Sequence, residues 1–565
     1  MSKYEDAKKI ADLIDEDIIA HVQSKDNIKV EAGAGAGKTY SLHKVIDWIV
    51  ANKLRDFQKQ KRRIACITYT NAAVDVIKQR IGVIKEIVPS TIHSFAWENI
   101  KQFPSVLINL VKELNMVSEE EFLQINHINY TLGVRYIEEG TLFLYHNDVI
   151  KLFCRLLDYR KFRLILESKY AAILIDEYQD SYKEIMDKLL KYFVDNHTGL
   201  QICLFGDAWQ TIYQTNNACG EVINENLKLI GKKVNFRSAQ KIVELLNKLR
   251  PELPQVTAID NFDGELYIVD CNDYTGSRRI DRYFKDDLPE CELKNRLVEI
   301  EKKFKFDNES LKTLMLTHKV LASYQGYDNL LKILNERLKD LSDPLFGFVV
   351  NVIENIYKSI SSKDFLLLYE TLKSRPPINT RNEKKRWNNL FQNLKESREK
   401  SIFDVLKVVI ESKLIPTPVE ITNIYDNMKN NIDILYGEGK LLDLKQISYQ
   451  EFIIANEFFM PSSIYSTDHG VKGEEYDNII FVISKGWANY QFDKYLIMNN
   501  AEIIANKDAY IRNRNLFYVG CSRAKKRLCL FITYPVNQSF KSYLQNLVGT
   551  ENYYSFDEFI KLSLK

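Results

Sequence analysis

Between Asn27 and Val50 the chain reads NIKVEAGAGAGKTYSLHKVIDWIV: a short β-branched run, a glycine–alanine turn, then an amphipathic helix opening on Lys38 and Thr39. A turn of this kind aims backbone N–H groups at a phosphate chain. Gly33, Gly35 and Gly37 allow the tight path, Lys38 and the positive end of the helix balance phosphate charge, and the Thr39 hydroxyl is placed to ligate Mg²⁺. The expected cradle runs through Ala32, Gly33, Ala34, Gly35, Ala36, Gly37, Lys38, Thr39 and Tyr40. A strict P-loop would start on glycine where this chain has Ala32. A flexible linker would leave the Lys-Thr pair and both flanking elements unexplained.

Two further runs fit the same site. In KYAAILIDEYQDS the apolar stretch Ala171 to Ile175 ends abruptly in Asp176 and Glu177, as expected for a strand buried on both faces of a parallel sheet, whose carboxyl end is where ligands bind. Asp176 is then a metal ligand for Mg²⁺ and Glu177 a base that polarises water. The run LQICLFGDAWQTIY also ends in a polar turn, with Gln210 placed to sense a γ-phosphate. Three such strand ends in order argue for one nucleotide site.

With 565 residues, 45% hydrophobic and 27% charged, the composition is that of an ordinary soluble protein with roughly three to five domains. No apolar stretch approaches the ~18 residues of a membrane span, and the opening MSKYEDAKKI is too charged for a signal peptide, so a cytoplasmic protein is expected. The eight cysteines form no CxxC pair and read as reduced core thiols. A net charge of +2 gives no global footprint for nucleic acid, so any such partner rests on local residues.

In order along the chain, AGAGAGKT (32–39), TYTNAAVDV (68–76), TIHSFAW (91–97), IDEYQDS (175–181), GDAWQTIY (206–213), NFRS (235–238), LTHKVLA (316–322), TDHGVKGEEYD (467–477) and YVGCSRAKKRL (518–528) resemble the serial motifs of the UvrD/Rep/PcrA-type superfamily 1 DNA helicases. The resemblance covers about residues 13–535 and implies an α/β fold: two RecA-like P-loop domains that clamp ATP, each with a mainly helical insertion. It implies that Lys38, Glu177 and Gln210 act with arginine fingers Arg237 and Arg523, that Phe236 stacks on adenine, and that Glu475 binds ribose. Single-stranded DNA, or DNA with a single-stranded tail, would be touched by Thr68, Tyr69, Asn71, His93, Phe95, Tyr213, Thr467 and His469; aromatic stacking of this kind is indifferent to sequence.

The chain also departs from the family. The glutamine that reads adenine should fall at Asp17, which puts ATP-over-GTP selectivity in question. Ala72 replaces a lysine, and Thr215 stands where a tryptophan usually stacks on DNA. The domains are expected as 1–100 with 145–238, a helical insertion at 101–144, a second RecA-like unit at 239–335 with 456–545, a helical insertion at 336–455, and a tail from 546. The basic run Lys384, Lys385, Arg386 beside Trp387 reads as a solvated loop or a duplex contact. Two functions remain open: an ATP-driven translocase and helicase moving 3′ to 5′, and a regulatory DNA-sensing ATPase subunit that controls a partner nuclease. The compact second insertion and the eroded DNA contacts resemble small helicases of antiphage systems such as Gabija. A P-loop kinase would leave NFRS, GVKGEEYD and CSRA unexplained.

Overall fold

Six short β-branched or apolar runs of the first half meet in one parallel sheet. Their residues are β1 (Ile28–Ala32), β2 (Arg63–Thr68), β3 (Ile87–Thr91), β7 (Tyr170–Asp176), β8 (Gln201–Gly206) and β9 (Lys228–Lys232), in spatial order β3-β2-β7-β8-β1-β9. The computed structural model describes residues 3–563 except 69, 83, 132–134, 212–217, 283, 317, 340, 374–379, 461–462, 468–472 and 486–488. β1, β7 and β8 are almost wholly buried, as sheet strands covered on both faces must be. Because β7, β8 and β1 are neighbours running the same way, the turns that follow them open side by side at one edge of the sheet.

Between β3 and β7 the chain makes an excursion that is less helical than its sequence suggests. After helix Pro104–Glu113 come β4 (His127–Tyr130), β5 (Tyr136–Glu138) and β6 (Thr141–Leu144), a small sheet in order β4-β6-β5. Leu107, Leu110, Leu142 and Leu144 of this excursion share one core with Phe153, Ile173 and Ile202. Alternate burial along β6 is the half-buried strand signal that the helical spacing of the preceding SVLINLVKEL masks.

A short parallel pair, β10 (Val234–Asn235) with β11 (Val256–Thr257), leads to the second large sheet. That sheet takes β12 (Glu265–Asp270) and β13 (Leu311–Met315), then, after an insertion holding the hairpin β14 (Leu435–Tyr436) and β15 (Gly439–Lys440), β16 (Tyr465–Thr467), β17 (Tyr476–Ile483), β18 (Ala524–Ile532) and β19 (Tyr553–Ser555). Its order is β16-β13-β17-β18-β12-β19, again all parallel. The segment expected as a tail from 546 is therefore structural: β19 pairs with β12, and Phe559 is buried in the same core as Phe304. The second insertion is helical, and its Trp387, Leu406 and Phe452 join that core. Lys384, Lys385 and Arg386 lie exposed on helix Arg381–Ser397 rather than in a loop, while Trp387 faces inward.

Candidate nucleotide site

At the end of β1 the turn 33–37 has Gly35 and Gly37 at φ 71° and 72°, a left-handed conformation that side chains resist. Gly35 also has no room: a Cβ there would lie 2.7 Å from Asn235 Oδ1 and from Arg237 Cβ. The cradle is thus pressed against the NFRS turn. Asn235 shapes that turn by accepting the Arg237 and Ser238 N–H groups at 2.8 Å each, and donates to the Ala34 carbonyl at 3.0 Å. Phe236 N–H donates to the Gly35 carbonyl at 2.9 Å, and Ala34 N–H donates to Tyr518 Oη at 3.2 Å. Helix α2 (Lys38–Asn52) starts at Gly37 with no side-chain cap, leaving its first N–H groups for a ligand. Thr39 and Tyr40 are exposed there.

Lys38 Nζ meets Glu177 Oε2 at 3.0 Å. Burial alone would lower the Lys38 pKa, but Glu177, Asp207 and Asp176 outweigh it and hold the ammonium charged. Glu177 sits in left-handed backbone at φ 50° and also accepts from Gln179 Nε2 at 2.5 Å. Asp176 is buried, and burial together with Glu177 pushes its carboxyl up to about 7. A divalent cation would relieve that charge crowding. One carboxylate, the Thr39 hydroxyl, phosphate oxygens and waters make a donor set suited to Mg²⁺.

From the second domain Arg523, 1% exposed, ends the turn after helix Lys507–Cys521. Its Nη2 donates to Gln210 Oε1 at 3.2 Å, while Nε and Nη1 hold the carbonyls of Val519 and Glu474. Burial and the neighbouring Arg237 pull its pKa down to about 9. Gln210 in turn donates to Asp207 Oδ2 at 2.6 Å. Arg237 Nε pairs with Glu475 Oε2 at 2.7 Å and Nη1 reaches the Ser522 carbonyl, while Lys525 holds the other Glu475 oxygen at 2.9 Å. Burial would raise the Glu475 pKa, but the two cations outweigh it and hold the carboxyl below its usual range. Phe236 is partly exposed, with Tyr4 of α1 (Lys3–Gln23) edge-on at 6.5 Å.

Lys38, Glu177 and Gln210 thus come together with Arg523, and Arg237 with Glu475. Among the DNA expectations, two need correction. Phe95 is 2% exposed and packs on Phe153 and Tyr170, and Thr68 is equally buried with its hydroxyl on the Thr70 carbonyl. Both lie on the core-facing side of elements whose period places them there, so neither offers a face to a base. Asn71 is exposed at the start of a helix capped by Thr70, and His93 bonds the Tyr182 hydroxyl at 3.1 Å. Thr467 ends β16; Tyr69, Tyr213, Thr215 and His469 lie outside the described residues. Asp17 faces solvent beside His21. Its neighbour Asp15 is the buried one, accepting from Ser41 Oγ at 2.5 Å, Lys232 Nζ at 2.9 Å and Lys44 Nζ at 3.0 Å.

An AAA-domain family model, AAA_19, matches residues 15–216, the stretch that carries the cradle, Asp176, Glu177 and Gln210. A Gabija protein GajB from Bacillus cereus (strain HuB5-5) is 24% identical, over 94% of this chain and 96% of the relative. The mitochondrial ATP-dependent DNA helicase HMI1 of Saccharomyces cerevisiae is 25% identical over 42% of this chain and 40% of its own length. An ATP-dependent helicase/nuclease subunit from Clostridium novyi (strain NT) is 22% identical over 51% of this chain and 23% of its own length. These similarities and the serial motifs support a superfamily 1 helicase, an ATP-hydrolysing, DNA-binding enzyme whose likeness to GajB spans nearly the whole chain. Among the described residues this helicase has no helix long and apolar enough to cross a membrane.

Sequence motifs pointed to part of this helicase's site only. Asn235 and Tyr518 open NFRS and YVGCSRA, and Asp207 follows Gly206, so motif position carried a signal for each. Arg250 and Glu31 carried none, although Arg250 bonds Asp207 at 2.6 Å and Glu31 at 2.8 Å across the two domains. Six of the eight cysteines are buried free thiols; Cys219 is partly buried and Cys291 is exposed.

Proposed function

We propose that this helicase is a translocase on single-stranded DNA, moving 3′ to 5′ by hydrolysing ATP between its two domains. The observation that carries the proposal is the reach of Arg523 from the second domain to Gln210 of the first at 3.2 Å. A cation delivered across a cleft makes turnover depend on closure, and alternate closure and opening moves the two domains along a strand.

The cradle N–H groups and Lys38 bind the phosphates. Engagement of Lys38 there draws it from Glu177, whose carboxylate is then the base that orients and deprotonates the attacking water. Thr39 and Asp176 would hold Mg²⁺, which would supply Lewis-acid neutralisation of the phosphate oxygens. Gln210 positions the water, and Arg523 with Arg237 stabilises charge on the transferring phosphoryl group. Phe236 stacks on the base, and Glu475, at present paired with Arg237 and Lys525, turns to the ribose.

A second reading is favoured by the end-to-end similarity to GajB and by relatives named helicase/nuclease subunits: a DNA-sensing ATPase subunit that controls a partner nuclease, in antiviral defence. Steady-state ATPase with and without single-stranded DNA separates the two when combined with strand-displacement assays. The translocase reading expects stimulation and 3′-tailed unwinding; a rate that responds to DNA with no unwinding of any duplex supports the subunit reading.

A further inference from the structure

Arg250 follows helix Gln240–Leu249 of the second domain, yet its guanidinium lies buried in the first. Nη1 donates to Asp207 Oδ1 at 2.6 Å and Nη2 to Glu31 Oε1 at 2.8 Å. Glu31 immediately precedes the phosphate cradle. The same carboxylate accepts from Ala208 N–H at 3.0 Å and from Tyr178 Oη–H at 2.7 Å, the residue after Glu177. Asp207 accepts from Trp209 N–H at 3.0 Å and from Gln210 Nε2 at 2.6 Å. One guanidinium therefore joins all three turns of the site.

The turn it holds is gripped from the other side as well. Arg514 stacks 3.7 Å from the Trp209 ring centroid, and Asn515 donates to the carbonyls of Ala208 and Thr211 at 3.2 Å each. Both residues belong to the helix that leads into Arg523.

We propose that Arg250 is a positioning residue for ATP hydrolysis: bridging Asp207 and Glu31, it fixes Gln210 where Arg523 meets it, so that turnover requires the second domain to be seated. Arg250 itself reaches no phosphate in this role. The proposal rests on the assignment of Gln210 and Arg523 above. A buried ion pair is weak glue, because desolvation offsets most of its attraction and apolar side chains of similar volume often stabilise as well. What a planar fork adds is direction, two donors held at a set angle between two carboxylates.

The test uses the full chain. Arg250→Met would leave buried Asp207 without its guanidinium and Glu31 with only Lys29 as ion-pair partner, at 3.5 Å, and threatens folding, so Arg250→Lys, which keeps the charge and loses the fork, is the deciding variant. Its kcat is expected to fall about tenfold or more, since small misplacements of a positioning group have costs of this size, while the Kd for a fluorescent ATP analogue stays within about twofold. Combined with Gln210→Ala, the loss is expected to be no greater than that of Gln210→Ala alone, because both act through one group. An Arg250→Lys enzyme with parental kcat overturns the proposal, and so do losses that multiply in the double variant. If Gln210→Ala alone retains the parental rate, it is instead the assignment of Gln210 that fails.

Discussion

Replacing Asp15 by Asn tests the buried network that anchors α1 behind the phosphate cradle. The carboxylate accepts from Lys232 at 2.9 Å, and the Lys232 side chain is 2% exposed. Burial holds the Lys232 pKa below its ordinary 10.5, with Asp15 the main opposing influence. Without Asp15 the buried ammonium sheds its proton rather than stay charged and unpaired. At pH 7.5, about three tenfold steps below 10.5, each worth about 1.4 kcal/mol, that deprotonation sets a ceiling of about 4 kcal/mol on the destabilisation. At pH 9 the ceiling falls to about 2 kcal/mol. The sign follows from proton counting: in the variant Lys232 is neutral when folded and protonated when unfolded, so the unfolded state binds more protons and stability rises with pH. For a first domain of about 200 residues, with about 2–4 °C per kcal/mol, the melting temperature should drop by up to about 8–16 °C at pH 7.5 and by up to half as much at pH 9. Thermal unfolding of the nucleotide-free protein at both pH values measures this, with Asp15→Asn/Lys232→Met expected to recover most of the loss. A drop under about 2 °C, or one equal at both pH values, would refute the reasoning.

Three functional outcomes follow from the proposed site. Glu177→Gln should keep nucleotide binding and lower turnover by about 10²–10⁴, the usual contribution of a positioned base; an unchanged rate in a phosphate-release assay removes Glu177 from that role. Arg523→Ala should lose about 10³ or more of both basal and DNA-stimulated ATPase, whereas retention of DNA stimulation would mean the second domain does not complete the site. Thr215→Trp should tighten single-strand binding roughly 5- to 150-fold by adding one stacked aromatic, measured by fluorescence anisotropy; parental affinity would show that position 215 does not face the bases.

The parallel sheets and the three turns around the phosphate site were legible because each is local: a buried strand is a continuous apolar run, and the turn after it must carry the polar groups. Gly35 and Gln210 needed nothing beyond neighbours in sequence. The β4-β6-β5 sheet was not legible, since its strands of three or four residues are shorter than the helical pattern beside them. Nor were Glu31 and Arg250, for a charged residue inside an apolar strand or after a helix reads as solvated until a partner 219 residues away is brought against it. Phe95 illustrates the converse. An aromatic in a DNA-contacting motif and an aromatic in a core have the same letter, and only the packing on Phe153 separates them.

The pairing of β12 with β18 has a consequence for how the chain comes to be folded. Glu265 and Arg527, bonded at the start of that pairing, are 262 residues apart in sequence. During synthesis β12 and β13 emerge long before β17 and β18 exist, so apolar strand faces wait exposed while the second insertion is made. Pairing of such separation is slow and open to misassociation. The first sheet, whose strands are all complete by Lys232, can form meanwhile. Ribosome-bound chains halted between these points would present a formed nucleotide cradle beside an unfinished clamp: a species able to hold ATP before it has the arginine with which to cleave it.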